Sequence, residues 1–350
     1  REFTLDTSVS ELTVELDLSS DSGFLGDNLT SDNTPTFSGV SEAGATIDLV
    51  INAETYTALA DDSGNWSVTV PDKLPDGEYV YDVTATDVAG NTLSVTGRSV
   101  TIDTVMPNLT GGLSSDSDSG QFSNDGITQV NRPIFSGEGE PNANVKLILG
   151  GIEYETTVDA SGEWQINLPV ALADNEYNYV LSSSDAAGNT VELPEQKLVV
   201  DTSTDLTVSG LTAATNSAID GIQSGLDDQI TNIASPAIEG LGEAGATISL
   251  VMNGVTYTST VGSNGQWVVN ITDALPEGNH SYSVESTDIA GNVALIENRS
   301  ITIDLTAPNL TGGLDAGSDS GISSSDGVTN DATPMFSGTS EAGAYIVLMI

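Results

Sequence analysis

The sequence has no cysteine, a single histidine and very few basic residues. Without cysteine there is no disulfide, no thiolate metal site and no thiol nucleophile. His280 alone provides neither a recurring general base nor a zinc site of ordinary ligation. The chain carries 7 Lys and Arg against 51 Asp and Glu, a net charge of -44. Nucleic acids and anionic membranes are therefore excluded as main partners, because both require clustered cationic side chains. We expect cations as partners and do not expect an enzyme.

Long apolar runs are also missing. No stretch approaches the ~18 apolar residues of a membrane-spanning helix, so membrane insertion is not expected. The first residues lack the apolar segment of a signal peptide, and the last ones stop inside an alternating apolar stretch, so we expect a piece of a longer chain. Apolar residues nevertheless make up 38% of the sequence, unlike in a disordered acidic tail.

The chain contains an internal repeat of about 100 residues. The motif F-S-G at Phe37, Phe135 and Phe336, with Ile238-Glu239-Gly240 as its third copy, recurs in steps of 98, 103 and 98 residues. The tryptophans follow the same steps, as does the pentapeptide D-x-A-G-N that begins at Asp87, Asp185 and Asp288. This period predicts four domains, three complete and one truncated. Their predicted bounds are 1–103, 104–201, 202–304 and 305–350.

Within one repeat, apolar and polar residues alternate in short runs bounded by Gly, Pro, Asn and Asp, which is the pattern of β-strands. No helical period occurs. Seven strands in about 100 residues predict an all-β immunoglobulin-like Greek-key sandwich, and the repeats predict tandem sandwiches in a linear array. In repeat 1 the predicted strands A to G are Leu12–Leu16, Thr34–Gly39, Ala45–Asn52, Thr55–Leu59, Trp66–Val70, Tyr79–Thr86 and Thr92–Asp103.

A tyrosine near the start of strand F supports the sandwich. The turn before that strand ends in Tyr79-Val80-Tyr81 in repeat 1 and has counterparts in repeats 2 and 3. A tyrosine there can hydrogen-bond back across the E–F connection, as in the tyrosine corner of Greek-key sandwiches. The tyrosines and tryptophans are therefore interpreted as core and corner residues.

Many of the recurring acidic residues fall in loops at the ends of each predicted domain. Residues 104–201 hold 15 acidic and 3 basic residues, a net charge of -12 that disfavours a compact domain unless it is screened. Loops that alternate Asp, Ser, Gly and Asn supply the hard oxygen ligands that Ca2+ prefers. The recurring acids of the A–B loops are Asp21 and Asp27 in repeat 1, Asp118 and Asp125 in repeat 2, Asp228 in repeat 3, and Asp319 and Asp326 in repeat 4.

The topology of a seven-strand sandwich predicts which acids can meet. The A–B loop lies at the end where the chain leaves a domain, whereas the B–C and F–G loops lie where it enters the next one. A linker Asp recurs between them, 16 residues after the Asp of D-x-A-G-N. We therefore predict shared calcium sites at the junctions. The first set is Asp21, Asp27, Asp103, Glu140 and Asp185, and the second is Asp118, Asp125, Asp201, Glu243 and Asp288. Equivalent positions elsewhere are Asp6, Glu42, Asp87, Asp304 and Glu341.

Each of these motifs also has a purely structural interpretation. D-S-G and D-G are common turn sequences, D-x-A-G-N can be only an F–G hairpin turn, and the B–C glutamates can be solvated loop charges. Asp62-Ser63-Gly64 is interpreted as a plain D–E turn. Repeat 3 replaces the S-D-S-G element of its A–B loop with Asn216–Gly221, so its calcium site is the doubtful one.

Taken together, these motifs resemble the bacterial Ig-like repeats of giant type I-secreted adhesins. The resemblance covers the whole chain and rests on the T-P-x-F-S-G strand, the S-E-A-G-A loop, the G-x-W strand, D-x-A-G-N and the closing T-I-D-T-x-x-P. It implies a stalk on the bacterial cell surface, Ca2+ at the domain junctions, a C-terminal secretion signal beyond this chain and a role in biofilms. It also implies that a host or surface ligand is bound by other regions.

Two functions follow from this sequence. The first is a calcium-rigidified extender that projects a distal adhesion domain and whose partners are Ca2+ and the neighbouring repeats. The alternative is that one or more repeats bind a glycan or protein directly, for which Phe24 and Phe122 in the A–B loops are the only candidate contacts.

Overall fold

The computed structural model describes residues 4–217, 228–323 and 325–350. Every regular element in these residues is a β-strand. In this part of the chain, no helix has the length and apolar character needed to cross a membrane. All X-Pro and other peptide bonds described are trans.

The three complete repeats contain the same succession of short strands. In repeat 1 the strands are β1 Glu15–Leu16, β2 Leu29–Thr30, β3 Thr36–Val40, β4 Thr46–Ile51, β5 Glu54–Leu59, β6 Asn65–Thr69, β7 Gly77–Thr86 and β8 Thr92–Ile102. In repeat 2 they are β9 Gly112–Leu113, β10 Ile127–Thr128, β11 Ile134–Glu138, β12 Asn144–Leu149, β13 Ile152–Thr157, β14 Glu163–Asn167, β15 Asn175–Ser184, β16 Thr190–Glu192 and β17 Gln196–Val200.

Repeat 3 follows the pattern of repeat 1, and two strands are described beyond it. Its strands are β18 Leu206–Leu211, β19 Ile230–Thr231, β20 Ala237–Gly242, β21 Thr247–Met252, β22 Val255–Thr260, β23 Gln266–Asn270, β24 Gly278–Thr287 and β25 Val293–Ile303. The last two are β26 Thr311–Leu314 and β27 Phe336–Thr339. The contacts divide the chain into two compact units: one ends at Ser203 and includes Ile289–Asn292, and the other takes Thr204–Asp288 and the residues from Val293 onward.

Each complete repeat is a sandwich of a three-stranded and a larger sheet. In repeat 1 the strand orders are β1-β3-β6 and β2-β8-β7-β4-β5. Repeats 2 and 3 repeat this arrangement, with β16 as an additional strand beside β15 in repeat 2. The predicted all-β, immunoglobulin-like fold is therefore confirmed. Alternation places every second residue inside, as in β6, where Trp66 and Val68 are buried between exposed neighbours.

Three separate hydrophobic cores lie inside the three complete sandwiches. In repeat 1 the rings of Phe37 and Tyr81 lie 4.6 Å apart, and in repeat 2 those of Phe135 and Tyr179 lie 5.0 Å apart. The glycine of F-S-G lets the chain of strand A pass close to β3. A Cβ on Gly39 would lie only 2.1 Å from the carbonyl oxygen of Thr13. This explains why the motif recurs as a unit.

The structure adds one strand that the sequence did not predict. The segment D-x-[LIV]-T, assigned to the A–B loop, ends in a two-residue strand that pairs in parallel with strand G, as Leu29 with Thr101 and Thr30 with Ile102. Two residues are too few to show an alternating pattern, so the sequence contained no signal for it. The strand places the end of the A–B loop beside the linker: the N–H of Asp103 donates to the carbonyl of Thr30 at 2.9 Å.

The repeat period also predicts strands A, B and C in the truncated fourth repeat, and of these the predicted strand C is wrong. Only β26 and β27 are described there, and the segment 344–350 forms no strand. Phe336 is 40% exposed, whereas its counterparts Phe37, Phe135 and Ile238 are fully buried. In the complete repeats strand C pairs with strand F, and no strand F is described here to hold it.

The tyrosine corner is present in repeats 1 and 2 but differs in repeat 3. Tyr79 donates its hydroxyl to the carbonyl of Pro75 at 2.8 Å, and Tyr177 does the same to Ala173 at 2.9 Å. The equivalent residue in repeat 3 is His280, which is buried and whose Nε2 lies 2.8 Å from the carbonyl of Pro276. Its Nδ1 lies 2.9 Å from the amide of Asn253, so the only histidine of the chain is a corner residue.

Candidate cation sites

The aspartate of D-x-A-G-N has a structural role in its own turn. In repeat 1 both carboxylate oxygens of Asp87 accept hydrogen bonds from Asn91, one from the backbone N–H and one from the side-chain amide. Gly90 adopts a left-handed φ of 92° between them, as a tight turn requires. Burial raises the pKa of Asp87, but the bonds from Asn91 outweigh it and the net shift is downward. The carboxylate is therefore held ionised and in a fixed orientation.

Three acids from different segments meet beside this turn in repeat 1. Ligand oxygens of Asp6, Glu42 and Asp87 all lie within 4.8 Å of one another. Asp6 is exposed, Glu42 is half-buried and Asp87 is buried, so the three carboxylates extend from the surface inward. The backbone N–H of Ser10 holds Glu42 in place at 3.2 Å. We call such a set, a linker Asp with the B–C Glu and the F–G Asp, a linker triad.

The acids at the corresponding positions between repeats 1 and 2 are Asp103, Glu140 and Asp185, and we call them the second linker triad. Burial raises the pKa of Glu140, and the nearby charges of Asp185 and Asp103 raise it further. The side-chain amide of Asn189 donates to Asp185 at 2.8 Å and to the carbonyl of Asp103 at 2.9 Å. The asparagine of D-x-A-G-N thus ties the F–G turn to the linker, a role that the spacing alone did not reveal.

The A–B loop of repeat 1 packs directly on the F–G turn of repeat 2. The hydroxyl of Ser22 donates to the carbonyl of Ala187 at 2.5 Å, and the N–H of Phe24 lies 3.3 Å from the carbonyl of Ala186. Gly23 lies so close that a Cβ on it would be 2.0 Å from the oxygen of Ala186. The glycine of D-S-G therefore serves this contact, and the phenyl ring of Phe24 stays 66% exposed.

The A–B loops contain a second set of acids. In repeat 2, burial raises the pKa of Asp118, the hydrogen bond from Gly126 lowers it, and the neighbouring Asp125 raises it, with a net upward shift. The charges that act on Glu140 are Asp185 and Asp103, whereas the charge that acts on Asp118 is Asp125. The acids that act on Glu140 at the first junction therefore lie in the linker and the F–G turn, whereas the acid that acts on Asp118 at the second lies in the same A–B loop. Asp118 with Asp125, and the equivalent acids of the other A–B loops, form a pair within one loop. We call it the A–B pair.

The remaining predicted residues occupy the equivalent places in the chain. Asp201 follows β17 in the first compact unit, and Glu243 and Asp288 follow β20 and β24 in the second. In that second unit, Asp304 and Glu341 line one groove. Asp228 accepts a hydrogen bond from the N–H of Ile230 at 3.1 Å, as do Asp27, Asp125 and Asp326 from the residues two positions after them. Of the divergent loop of repeat 3, residues 218–221 lie outside the described residues.

These donor sets suit a hard cation. All the ligands on offer are carboxylate, hydroxyl and carbonyl oxygens, which Ca2+ prefers and which a zinc site would not use alone. One carboxylate oxygen in each of Asp21, Asp118 and Asp319 is buried without a hydrogen-bond partner among the described residues. Buried oxygens of this kind are costly unless something pairs with them. The residues present therefore fit Ca2+.

Several solved structures are similar to this chain. Among solved structures, a Ca2+-stabilized adhesin with which an Antarctic bacterium binds ice is 29% identical, with 88% of this chain and 78% of that one covered and a TM-score of 0.33. The extending region of a large adhesion protein is 23% identical over 86% and 76% of the two chains, with a TM-score of 0.31. A 1.5-MDa bacterial ice-binding adhesin is 23% identical over 84% and 99%, also with a TM-score of 0.31.

The family is shown by a sequence model. No curated protein matches the sequence. The model of the bacterial Ig-like domain matches residues 8–104, 106–202, 208–305 and 306–350, which together are nearly the whole chain. The chain therefore belongs to the bacterial Ig-like domain family and consists of tandem copies of that domain.

Proposed function

We propose that this chain is a spacer segment of a bacterial surface adhesin, secreted to the cell exterior, whose repeat junctions are stiffened by Ca2+. The observation that carries the proposal is the linker triad, in which acids from the linker, the B–C loop and the F–G turn come together. Asp6, Glu42 and Asp87 do so within 4.8 Å in repeat 1. At the next junction, the charges of Asp185 and Asp103 raise the pKa of Glu140 after burial has raised it.

Electrostatics explains why a cation is needed there. Two carboxylates 4.8 Å apart repel by roughly 1 kcal/mol even with the dielectric constant of water, and the group of Asp6, Glu42 and Asp87 contains three such pairs. No basic side chain forms a salt bridge at either triad, since the two salt bridges in the described residues join Lys146 to Glu153 and Lys197 to Glu176 on strands. A divalent cation bound by the triad would reverse the repulsion and favour one arrangement of linker and loops.

The linker triad would work as a clamp because its members belong to different segments. Asp103 lies at the end of strand G of repeat 1, and its backbone is held by Thr30. Glu140 and Asp185 belong to the next sandwich, where Asn189 fixes the carboxylate of Asp185. An ion held by all three would therefore link two domains that otherwise meet through hydrogen bonds of the A–B loop and of Asn189. Bound Ca2+ would supply charge and coordination, and the orientation of the ligands would come from the protein.

Thermal unfolding tests this proposal. A ligand that binds only the folded state stabilises it, by about 2.7 kcal/mol when its concentration is a hundred times Kd. We expect Ca2+ to raise the melting temperature above that in EDTA, and Glu140→Gln to reduce the rise. Glu155→Gln is the matched control, because Glu155 is an exposed acid on β13 and its loss changes the net charge equally. Equal melting curves in EDTA and millimolar Ca2+ would refute the calcium proposal.

A further inference from the structure

The F–G turn is open in repeat 1 and covered in repeat 2. In repeat 1, Val88 is 90% exposed and Ala89 is exposed as well. In repeat 2 the residue equivalent to Ala89 is Ala187, which is only 1% exposed. The turn itself is the same, since Asn91 and Asn189 bond to their aspartates in the same way. The burial of Ala187 is therefore caused by a segment outside the turn.

The A–B loop of repeat 1 is the segment that covers this turn. The hydroxyl of Ser22 donates to the carbonyl of Ala187 at 2.5 Å. A Cβ on Gly23 would lie 2.0 Å from the carbonyl oxygen of Ala186. A Cβ on Gly188 would lie 2.7 Å from the backbone nitrogen of Gly23. Because non-bonded carbon atoms pack at about 3.5–4.0 Å, neither glycine admits a side chain while the loop is docked.

The A–B loop of repeat 2 makes the same contact. The turn Ile289–Asn292 belongs to the same compact unit as repeat 2. The hydroxyl of Ser119 donates to the carbonyl of Ala290 at 2.8 Å, and Ala290 is again only 1% exposed. A Cβ on Gly120 would lie 2.1 Å from the carbonyl oxygen of Ile289. The serine and glycine of the A–B loop and the D-x-A-G-N turn therefore form a recurring interface.

Repeat 3 departs from this pattern at the glycine. The N–H of Asn232 donates to the hydroxyl of Ser217 at 2.8 Å. The N–H of Ser31 does the same to Ser22, so Ser217 and Ser22 occupy equivalent places. The next residue in the sequence of repeat 3 is Ala218, which lies outside the described residues, whereas repeats 1, 2 and 4 have glycine. An alanine at this place cannot dock in the same way, because its Cβ would collide with a carbonyl oxygen of the turn.

We propose that the F–G turn is a docking surface for the A–B loop of the preceding repeat, and that the glycine after the loop serine decides whether a junction docks. The hydrogen bonds across the interface run from a hydroxyl or a backbone N–H to a carbonyl, so docking requires no ion. Loops with serine-glycine dock, and the serine-alanine loop of repeat 3 does not. Repeat 3 is therefore followed by a looser junction. The proposal goes beyond the calcium clamp and depends on different atoms.

Hydrogen exchange of the whole chain in Ca2+ tests the docking at the first junction. In the parent, after correction for intrinsic rates, we expect the F–G turn of repeat 2 to exchange more slowly than the open turn of repeat 1. Gly23→Ala gives the loop of repeat 1 the serine-alanine of repeat 3. This variant should raise exchange in the turn of repeat 2 to the rate of the turn of repeat 1.

Two matched variants control for backbone strain, because alanine also disfavours the left-handed φ of 73° at Gly23. Gly26 in the same loop and Gly90 in the turn of repeat 1 have φ of 86° and 92°, and a Cβ on either would meet no atom within 4 Å. Gly26→Ala should leave exchange in the turn of repeat 2 unchanged. From the other side of the interface, Gly188→Ala should speed exchange in the A–B loop of repeat 1, whereas Gly90→Ala should not.

The outcomes separate the docking from the proposed clamp. Unchanged exchange of the repeat 2 turn in Gly23→Ala, or an equal change in Gly26→Ala, would overturn the proposal. So would a parent in which the two F–G turns exchange at the same rate. If Gly23→Ala opens the turn while Ca2+ leaves the melting temperature unchanged, the docking is supported and the clamp is refuted.

Discussion

A buried serine on strand F offers a quantitative test of how the three sandwiches are packed. Ser183 is 2% exposed and Ser286 is fully buried, and the hydroxyl of neither has a hydrogen-bond partner among the described residues. The equivalent residue in repeat 1 is Ala85, also fully buried. An unsatisfied buried polar group costs about 1–3 kcal/mol, whereas removing one hydroxyl leaves little empty volume. We therefore expect Ser286→Ala to stabilise repeat 3 by about 1 kcal/mol.

Hydrogen exchange of the whole chain can measure this change in stability separately for each repeat. A gain of about 1 kcal/mol slows the exchange of amides that require unfolding of the sandwich by roughly fivefold. The effect should be confined to peptides of repeat 3, with repeats 1 and 2 as internal controls. Ala85→Ser is the reciprocal variant and should speed exchange in repeat 1 by a similar factor. Unchanged or faster exchange in Ser286→Ala would show that the buried hydroxyl carries no cost.

Two further predictions concern Glu140 of the second linker triad and His280, the corner residue of repeat 3. Since the pKa of Glu140 is raised above its ordinary 4.5, its carboxylate costs stability in the absence of Ca2+. The folded state binds more protons than the unfolded one, so stability is lost as pH rises from 4.5 through the folded pKa. In EDTA, melting of the parent should fall progressively below that of Glu140→Gln over this range, and a constant difference would contradict the coupling. For His280, a tyrosine can make the corner bond that Tyr79 and Tyr177 make, so His280→Tyr should retain stability while His280→Leu loses about 1 kcal/mol. Equal exchange rates in the two variants would refute the corner role.

The sandwich was predictable because its signals are periodic and repeated. Trp66 and Val68 alternate with polar residues, and the step of 98 residues carries the pattern to Trp164 and its neighbours. Three copies of one pattern reduce the ambiguity of any single short strand. The same redundancy placed the F–G turn, whose glycine has a left-handed φ in every complete repeat.

What the sequence could not predict depends on contacts rather than on pattern. The short strand at Leu29–Thr30 is visible only through its pairing with Thr101 and Ile102. The proposed division of the acids into triads and A–B pairs depends on which carboxylates face each other, and a spacing of residues contains no such information. Nor could it tell that Asp21 buries an oxygen without a partner while Asp27 bonds within its own turn.

The central claim is that Ca2+ at the linker triad restrains neighbouring repeats, and a distance measurement tests it most directly. The chain has no cysteine, so Ser67→Cys and Gln165→Cys, at equivalent exposed positions on β6 and β14, accept spin labels at these two sites alone. We predict a narrow distribution of label distances in Ca2+, a broad one in EDTA, and a broad one in both when Glu140→Gln is added. A distribution equally wide in Ca2+ and EDTA for the otherwise unmodified chain would contradict the account.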